Sequence, residues 1–134
     1  MNHRLLYVDS SAILKIVVSE PESKALLELL GHWPVRVSSE LARTEVLRAL
    51  RRVDVTAAEF RRGQKVLDRI GLVPVDSRVL SDAAMLKPVS LRSLDAIHLA
   101  TAISLRGDLA AIVTYDARLF VAAAASKLTV WSPS

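Results

Sequence analysis

Short apolar runs alternate with longer stretches of helical periodicity along most of the chain. Five runs rich in Val, Ile, Leu and Tyr predict strands: RLLYV from residue 4, VRVSS from 35, LVPV from 72, AIVTY from 111 and LTVW from 128. The segments between them repeat apolar residues three and four positions apart, which predicts helices. The alternation predicts one α/β domain over residues 1–134, a three-layer αβα sandwich with a mostly parallel sheet of about five strands.

Small and polar residues mark the ends of the predicted helices. The helices are SSAILKIVV from residue 10, ESKALLELL from 22, SELARTEVLRALRR from 39, residues 57–70, a segment from about residue 77, LRSLDAIHLATAISLRG from 91 and DARLFVAAAA from 116. Ser38 and Ser39 are predicted to open the third helix, and Gly71 to close the fourth. Gly107 is predicted to end the sixth helix, which is predicted to be the longest.

The composition is that of a folded protein with a dense core. Hydrophobic residues make up 51% of the chain, with four Gly and five Pro, which excludes a disordered or fibrous chain. There is no cysteine, so disulfides, thiol nucleophiles and zinc ribbons are excluded, and any metal must be held by oxygen or histidine. Without a signal peptide or an apolar run of membrane-spanning length, we expect a cytoplasmic protein with no membrane contact.

The charge balance is basic, with a formal net charge of +4. Basic residues crowd the middle of the chain at Arg43, Arg48, Arg51, Arg52, Arg61, Arg62 and Lys65. Such a surface attracts a phosphate backbone, although the solvated faces of two helices would give the same run of charge.

Four acidic residues lie where apolar elements begin or end. Asp9 follows the first predicted strand and Asp116 the fourth, and the carboxyl ends of parallel strands meet at one edge of a sheet. Glu45 borders the apolar stripe of its helix, and Asp95 lies near the start of a strongly apolar helix. Gathered together, these carboxylates would hold a hard divalent cation, which suggests metal-assisted cleavage of a phosphodiester.

Each acid also has an ordinary structural interpretation. An Asp that follows a strand, as Asp9 and Asp116 do, is a common helix N-cap. A carboxylate in the first turn of a helix is favoured by the helix dipole. Glu45 could instead pair with Arg48 or Arg52 on its own helix.

Other polar residues near the acids are interpreted more simply. His98 lies one turn after Asp95 and is read as a buried core residue in preference to a metal ligand. His3 and His32 form no ligand spacing. Arg92, three residues before Asp95, either touches a phosphate or pairs with an acid.

Four segments in order, VDSSAILK, TEVLRAL, LDAIHLATA and VTYDARLF, resemble the PIN-domain family, and most closely the VapC-type toxins of prokaryotic toxin–antitoxin pairs. The resemblance covers essentially the whole chain. It implies an endoribonuclease that depends on Mg²⁺ or Mn²⁺ and uses an activated water. The implied catalytic residues are Asp9, Glu45, Asp95 and Asp116, of which Asp9, Asp95 and Asp116 would be the metal ligands.

The resemblance extends to residues around the acids. Ser11 and Thr114 match positions that often hydrogen-bond the neighbouring carboxylates. Whether Glu45 would orient the attacking water or complete the metal shell stays open. Where some relatives carry a further acid after the last Asp, this chain has Arg118 and Leu119, which leaves four acids for one ion or two.

The resemblance also implies partners: an RNA substrate, a cognate antitoxin protein that covers the acidic pocket, and a second copy of the chain in a homodimer.

Three other classes of protein are alternatives to this interpretation. A receiver-like regulatory domain needs an acid pair after the first strand, where VDSS has one Asp. A phosphatase with an aspartyl nucleophile needs a second Asp where Ser11 stands. A non-catalytic RNA-binding or scaffold protein of the same fold would not need all four acids.

Overall fold

A computed structural model describes residues 4–134, so His3 lies outside the described residues. These residues form five strands and seven helices. In chain order the elements are β1 Leu5–Val8, α1 Ser10–Val17, α2 Ser23–Leu30, β2 Val35–Ser39, α3 Leu41–Arg52, α4 Ala57–Asp68, β3 Gly71–Val73, α5 Ser77–Ala84, α6 Ser93–Ser104, β4 Leu109–Val113, α7 Ala117–Ala125 and β5 Val130–Trp131. None of the described helices is long and apolar enough to cross a membrane.

The strands form one sheet in the order β3-β2-β1-β4-β5, and every pairing in it is parallel. The prediction of a mostly parallel sheet of about five strands is confirmed. β1 lies at the centre, with β2 and β4 as its neighbours. Because all the strands run the same way, their carboxyl ends lie along one edge, and Asp9 directly follows the central strand.

Alternating side chains of β1 divide the core into two layers. Leu6 and Val8 face a cluster built from α1, α2, α3 and α4, while Tyr7 faces a second cluster built from α6 and α7. A third, smaller cluster joins α5 to α6. Helices therefore cover both faces of the sheet, and the predicted αβα sandwich is confirmed.

Some boundaries differ from those predicted because strand pairing overrides local preference. Ser38 and Ser39 pair with β3, so they end β2 and α3 begins at Leu41; Ser39 still accepts a hydrogen bond from the Leu41 amide at 3.1 Å. Gly71 pairs with Val37 as the first residue of β3 and does not terminate α4. The sixth helix is not the longest, since α3, α4 and α6 each have 12 residues.

Candidate active site

Asp9 is fixed at the end of the central strand by three hydrogen bonds. It is the N-cap of α1, and its Oδ1 accepts from the Ala12 amide at 2.9 Å and from Ser11 Oγ at 2.7 Å. Its Oδ2 accepts from Thr114 Oγ1. The capping role and the proposed ligand role therefore coincide, because the cap geometry holds the carboxylate at the edge of the sheet.

Ser11 and Thr114 also tie the segment after β1 to the segment after β4. Ser11 Oγ accepts from the Tyr115 amide at 2.9 Å, and Thr114 Oγ1 accepts from the Asp116 amide at 3.0 Å. The structure thus brings the two residues expected near the carboxylates into contact with Asp9 and with the backbone next to Asp116.

The environment of Asp9 opposes its charge. The residue is only 3% exposed, and burial raises the pKa of its carboxyl even though Thr114, Ser11 and the Ala12 amide all donate to it. A nearby positive charge would stabilise the ionised form of this buried carboxylate.

Asp116 repeats the arrangement of Asp9 at the start of α7. Its Oδ1 accepts from the amides of Arg118 and Leu119, each at 2.9 Å. Asp116 and Asp95 then line an open cavity of about 370 Å³, together with Tyr115 and with Arg92 and Arg118. Two carboxylates therefore share one depression with two guanidinium groups.

Asp95 lies in the first turn of α6, and no side-chain hydrogen bond within residues 4–134 engages its carboxylate. Burial raises the pKa of Asp95, and the charges of Asp116, Asp9 and Glu45 raise it further. Since these charges act on Asp95, the four acids are electrostatic neighbours.

Glu45 is held by residues that its own helix does not supply. Its Oε1 accepts from Ser10 Oγ at 2.7 Å and lies 2.6 Å from His98 Nε2. Within the described residues it forms no pair with Arg48 or Arg52, the partners suggested by helical spacing. Burial raises the pKa of Glu45, but the hydrogen bonds from His98 and Ser10 outweigh it and leave the pKa lowered.

His98 and Ser10 are therefore site residues whose contact with Glu45 sequence reasoning missed. His98 is indeed buried, as expected of a core residue, and only 2% exposed. The position of His98 in the sequence could have indicated this role. It is a polar side chain on the buried stripe of α6, three residues after Asp95 and therefore on the same face.

The acids supply the chemistry of a magnesium or manganese site without forming a finished one. No group of three or more acidic or histidine side chains in residues 4–134 is already gathered closely enough to hold an ion. The donors nevertheless suit a hard cation, since all are carboxylate oxygens at one edge of the sheet. Burial raises the pKa of Asp9, and burial together with the neighbouring carboxylates raises that of Asp95, so a cation bound beside them would favour their ionised forms.

Fold and site together define an α/β domain with an acidic pocket at the carboxyl edge of a parallel sheet. The PIN domain family model matches residues 6–125, a span that contains all four acids. The chain therefore belongs to the PIN-domain family.

Curated relatives and solved structures agree with this assignment. The chain is 48% identical over 129 residues to ribonuclease VapC46 of Mycobacterium tuberculosis, covering 96% of this chain and 98% of the relative. It is 37% identical over 119 residues to ribonuclease VapC47 of the same species, covering 86% of this chain and 87% of the relative.

Two solved structures share the fold at low sequence identity. The crystal structure of VapC20 from Mycobacterium tuberculosis, a sarcin–ricin loop cleaving toxin, superposes with a TM-score of 0.75 at 14% identity, covering 96% of this chain and 99% of that one. A toxin–antitoxin complex from Klebsiella pneumoniae gives a TM-score of 0.72 at 21% identity, covering 96% and 98%. At these identities the likeness is one of fold.

Proposed function

We propose that this chain is a divalent-metal-dependent endoribonuclease and the toxin of a toxin–antitoxin pair. The observation that carries the proposal is that Asp95 and Asp116 line one cavity and that Asp9 and Glu45 lie close enough for their charges to act on Asp95. Membership of the PIN family and the ribonuclease names of the curated relatives support it. The same acids would have no shared purpose in a scaffold protein.

Asp9, Asp95 and Asp116 would hold the Mg²⁺ or Mn²⁺ ion. Bound there, the cation supplies Lewis-acid activation of the scissile phosphate and of the attacking water. Asp9 is already oriented by its cap and by Thr114, whereas within residues 4–134 no hydrogen bond engages the Asp95 carboxylate.

Glu45 would orient the water. Its lowered pKa keeps it ionised at neutral pH, so it accepts hydrogen bonds and does not donate them. Ser10 and His98 occupy Oε1, and no hydrogen bond among the described residues engages Oε2. That second oxygen is the one available to a water in the pocket.

Arg92 and Arg118 would bind the RNA backbone. Both side chains line the cavity that contains Asp95 and Asp116, and both residues are exposed. A guanidinium group binds a phosphate through paired hydrogen bonds, so this pair can hold the phosphates on either side of the scissile bond. The arginines thus offset the repulsion that the carboxylates exert on RNA.

The decisive experiment compares cleavage of a labelled RNA by wild type, Asp9→Asn and Asp82→Asn, with Mg²⁺ and with EDTA. Asp9→Asn removes a ligand, so we expect cleavage to fall by about 10³-fold, or ~4 kcal/mol. Asp82 is an exposed acid on α5 and serves as the control. Equal cleavage by wild type and Asp9→Asn, or cleavage that persists in EDTA, contradicts the proposal.

The toxin role predicts a cellular effect that depends on the same carboxylate. Induced expression of the wild-type chain alone should arrest bacterial growth, and Asp9→Asn should not. Co-expression with the cognate antitoxin should restore growth, because a protein segment laid over the acidic pocket excludes RNA. Normal growth with the folded wild-type chain would remove the support for a toxin.

The proposed homodimer is supported by an apolar surface beside α5. Met85 and Val89 are 81% and 92% exposed, and they border an open cavity of about 480 Å³ between α5 and α6. A second copy would shield these side chains from water. Light scattering should give the mass of a dimer for the wild type and of a monomer for Met85→Glu; a monomeric wild type contradicts the proposal.

A further inference from the structure

A buried line of polar side chains runs from the core of the sheet to Glu45. Tyr7 Oη lies 2.7 Å from His98 Nδ1, and His98 Nε2 lies 2.6 Å from Glu45 Oε1. Tyr7 is fully buried and His98 is 2% exposed, so neither side chain is available to RNA. Only Glu45, whose side chain is 25% exposed, reaches the surface.

The fold brings these three residues into contact. Tyr7 is the one residue in the second half of β1 that faces the layer of α6 and α7. His98 lies on the buried stripe of α6, and the two rings meet edge to face at 83° with centroids 5.9 Å apart. Glu45 belongs to α3 in the opposite helix layer, so His98 joins the two layers at the end of β1.

The proton positions along this line follow from what each atom can accept. The Glu45 carboxylate is an acceptor, so His98 Nε2, 2.6 Å from Oε1, carries a proton and donates it. His98 Nδ1 is then left to accept from the Tyr7 hydroxyl, 2.7 Å away. Every donor on the line then has an acceptor.

Two donors converge on a single oxygen of Glu45. Ser10 Oγ and His98 Nε2 both lie within hydrogen-bond distance of Oε1. Two contacts to one oxygen fix the rotation of the carboxylate, which determines where Oε2 points. A side chain that controls this rotation acts on the reaction without touching RNA or metal.

We propose that His98 is the positioning residue for Glu45, and that Tyr7 positions His98 by fixing which ring nitrogen carries the proton. The inference rests on the proposed nuclease function and adds to it two residues that neither bind the substrate nor coordinate the ion.

The test compares two substitutions at one buried site. His98→Gln places an amide nitrogen near the position of Nε2 and keeps a donor for Glu45. His98→Asn places its amide near Nδ1, beside Tyr7, and is too short to reach Glu45. We expect kcat for RNA cleavage to fall by about 10–100-fold in His98→Asn. In His98→Gln we expect kcat within about threefold of wild type, and KM unchanged in both.

This pair separates positioning from packing, because both variants lose the ring from the same place in the core. Thermal unfolding is measured for each variant, and kcat is compared well below both melting temperatures so that lost packing does not lower it. Equal kcat in the two variants, or an effect on KM in place of kcat, would overturn the inference. If Asp9→Asn is inactive while both His98 variants match wild type, the positioning role of His98 is wrong but the nuclease function is supported. If Asp9→Asn stays fully active, the nuclease function itself is wrong.

A second readout does not depend on cleavage. Nitrogen-15 spectra of the histidine rings, recorded at about pH 8 where a free imidazole is neutral, report the protonated nitrogen directly. We expect the Nε2–H form for His98 in wild type and a mixture with Nδ1–H in Tyr7→Phe. An Nδ1–H or doubly protonated ring in wild type would overturn the proposed arrangement.

Discussion

The two halves of the acidic site are built differently. Asp9 and Glu45, the fixed pair, accept hydrogen bonds from side chains on other elements and lie against the core. Asp95 and Asp116, the open pair, line a cavity on the surface. Within residues 4–134, Asp95 has no side-chain hydrogen bond, and Asp116 Oδ1 accepts from backbone amides at the start of its own helix.

The difference shows that folding alone organises the fixed pair, whereas the open pair needs a bound ligand to become organised. The fixed pair gains its geometry from Ser11, Thr114, Ser10 and His98, at no further cost when a ligand binds. The open pair keeps its charges close together, and their repulsion is part of what raises the pKa of Asp95. A cation in the pocket would relieve that repulsion.

The largest effect is expected from Thr114→Val, which removes a hydroxyl that holds Asp9 of the fixed pair in place. Thr114 is fully buried, and its hydroxyl donates to Asp9 while accepting from the Asp116 amide. The isosteric change leaves both partners unpaired, so we expect the free energy of unfolding to fall by about 2–3 kcal/mol. RNA cleavage should fall by about 10–100-fold. Urea denaturation and a cleavage assay measure the two effects.

Thr101→Val is the matched control for this change. Thr101 is also fully buried, but its hydroxyl donates to the Ile97 carbonyl within α6. We expect it to cost less than ~1 kcal/mol and to leave cleavage unchanged. Similar losses in the two variants would mean that Asp9 is not held as described.

The open pair is tested by adding a cation. Mg²⁺ or Mn²⁺ at ten times its Kd should stabilise the folded chain by about 1.4 kcal/mol and raise the Tm by about 4 °C. Asp95→Asn removes a proposed ligand and should abolish most of this shift, while Asp82→Asn should retain it. Thermal melts with and without cation decide the matter, and an undiminished shift in Asp95→Asn counts against Asp95 as a ligand.

The smallest expected effect is the pH dependence of stability that burial and the neighbouring charges give to Asp95. Because the pKa of Asp95 is raised in the folded state, the fold favours the protonated carboxyl. The stability this contributes is complete below the unfolded-state pKa of ~3.9 and is lost as pH rises through the folded-state pKa. Asparagine stays uncharged, so Asp95→Asn should gain over wild type as the pH rises.

We expect metal-free Asp95→Asn to melt about 2 °C above wild type at neutral pH, a modest gain because solvent screens the half-buried carboxylate and the helix dipole favours its charge. The gain should vanish in acid. Thermal unfolding across a pH series measures it, with the exposed Asp108→Asn as control. A difference that does not vary with pH would show that repulsion is not its cause.

The sequence was sufficient to place the acids and the partners of Asp9, but not the partners of Glu45. Strand ends locate Asp9 and Asp116, since a parallel sheet brings its carboxyl ends together. The partner of Glu45 lies 53 residues away on another helix layer. Helical spacing relates Glu45 only to neighbours such as Arg48, and it does not say which face of α6 will meet α3.

The same limit explains the misplaced boundaries. Serine favours a helix N-cap and glycine a helix end, so Ser39 and Gly71 read as helix signals in isolation. Both are paired in the β2–β3 ladder, where Ser39 aligns with Val73 and Gly71 with Val37. Strand pairing is a contact between distant segments, and no local pattern encodes it.

The parallel pairing of β1 with β4 also bears on the order in which the chain is made. Val8 aligns with Val113, and the hydroxyl that holds Asp9 belongs to Thr114. A chain made only as far as the end of α6 contains Asp9, Glu45 and Asp95, yet its β1 lacks one of its two neighbours. The acidic site is therefore completed late in synthesis, and a stalled or truncated chain that stops before residue 116 lacks its geometry.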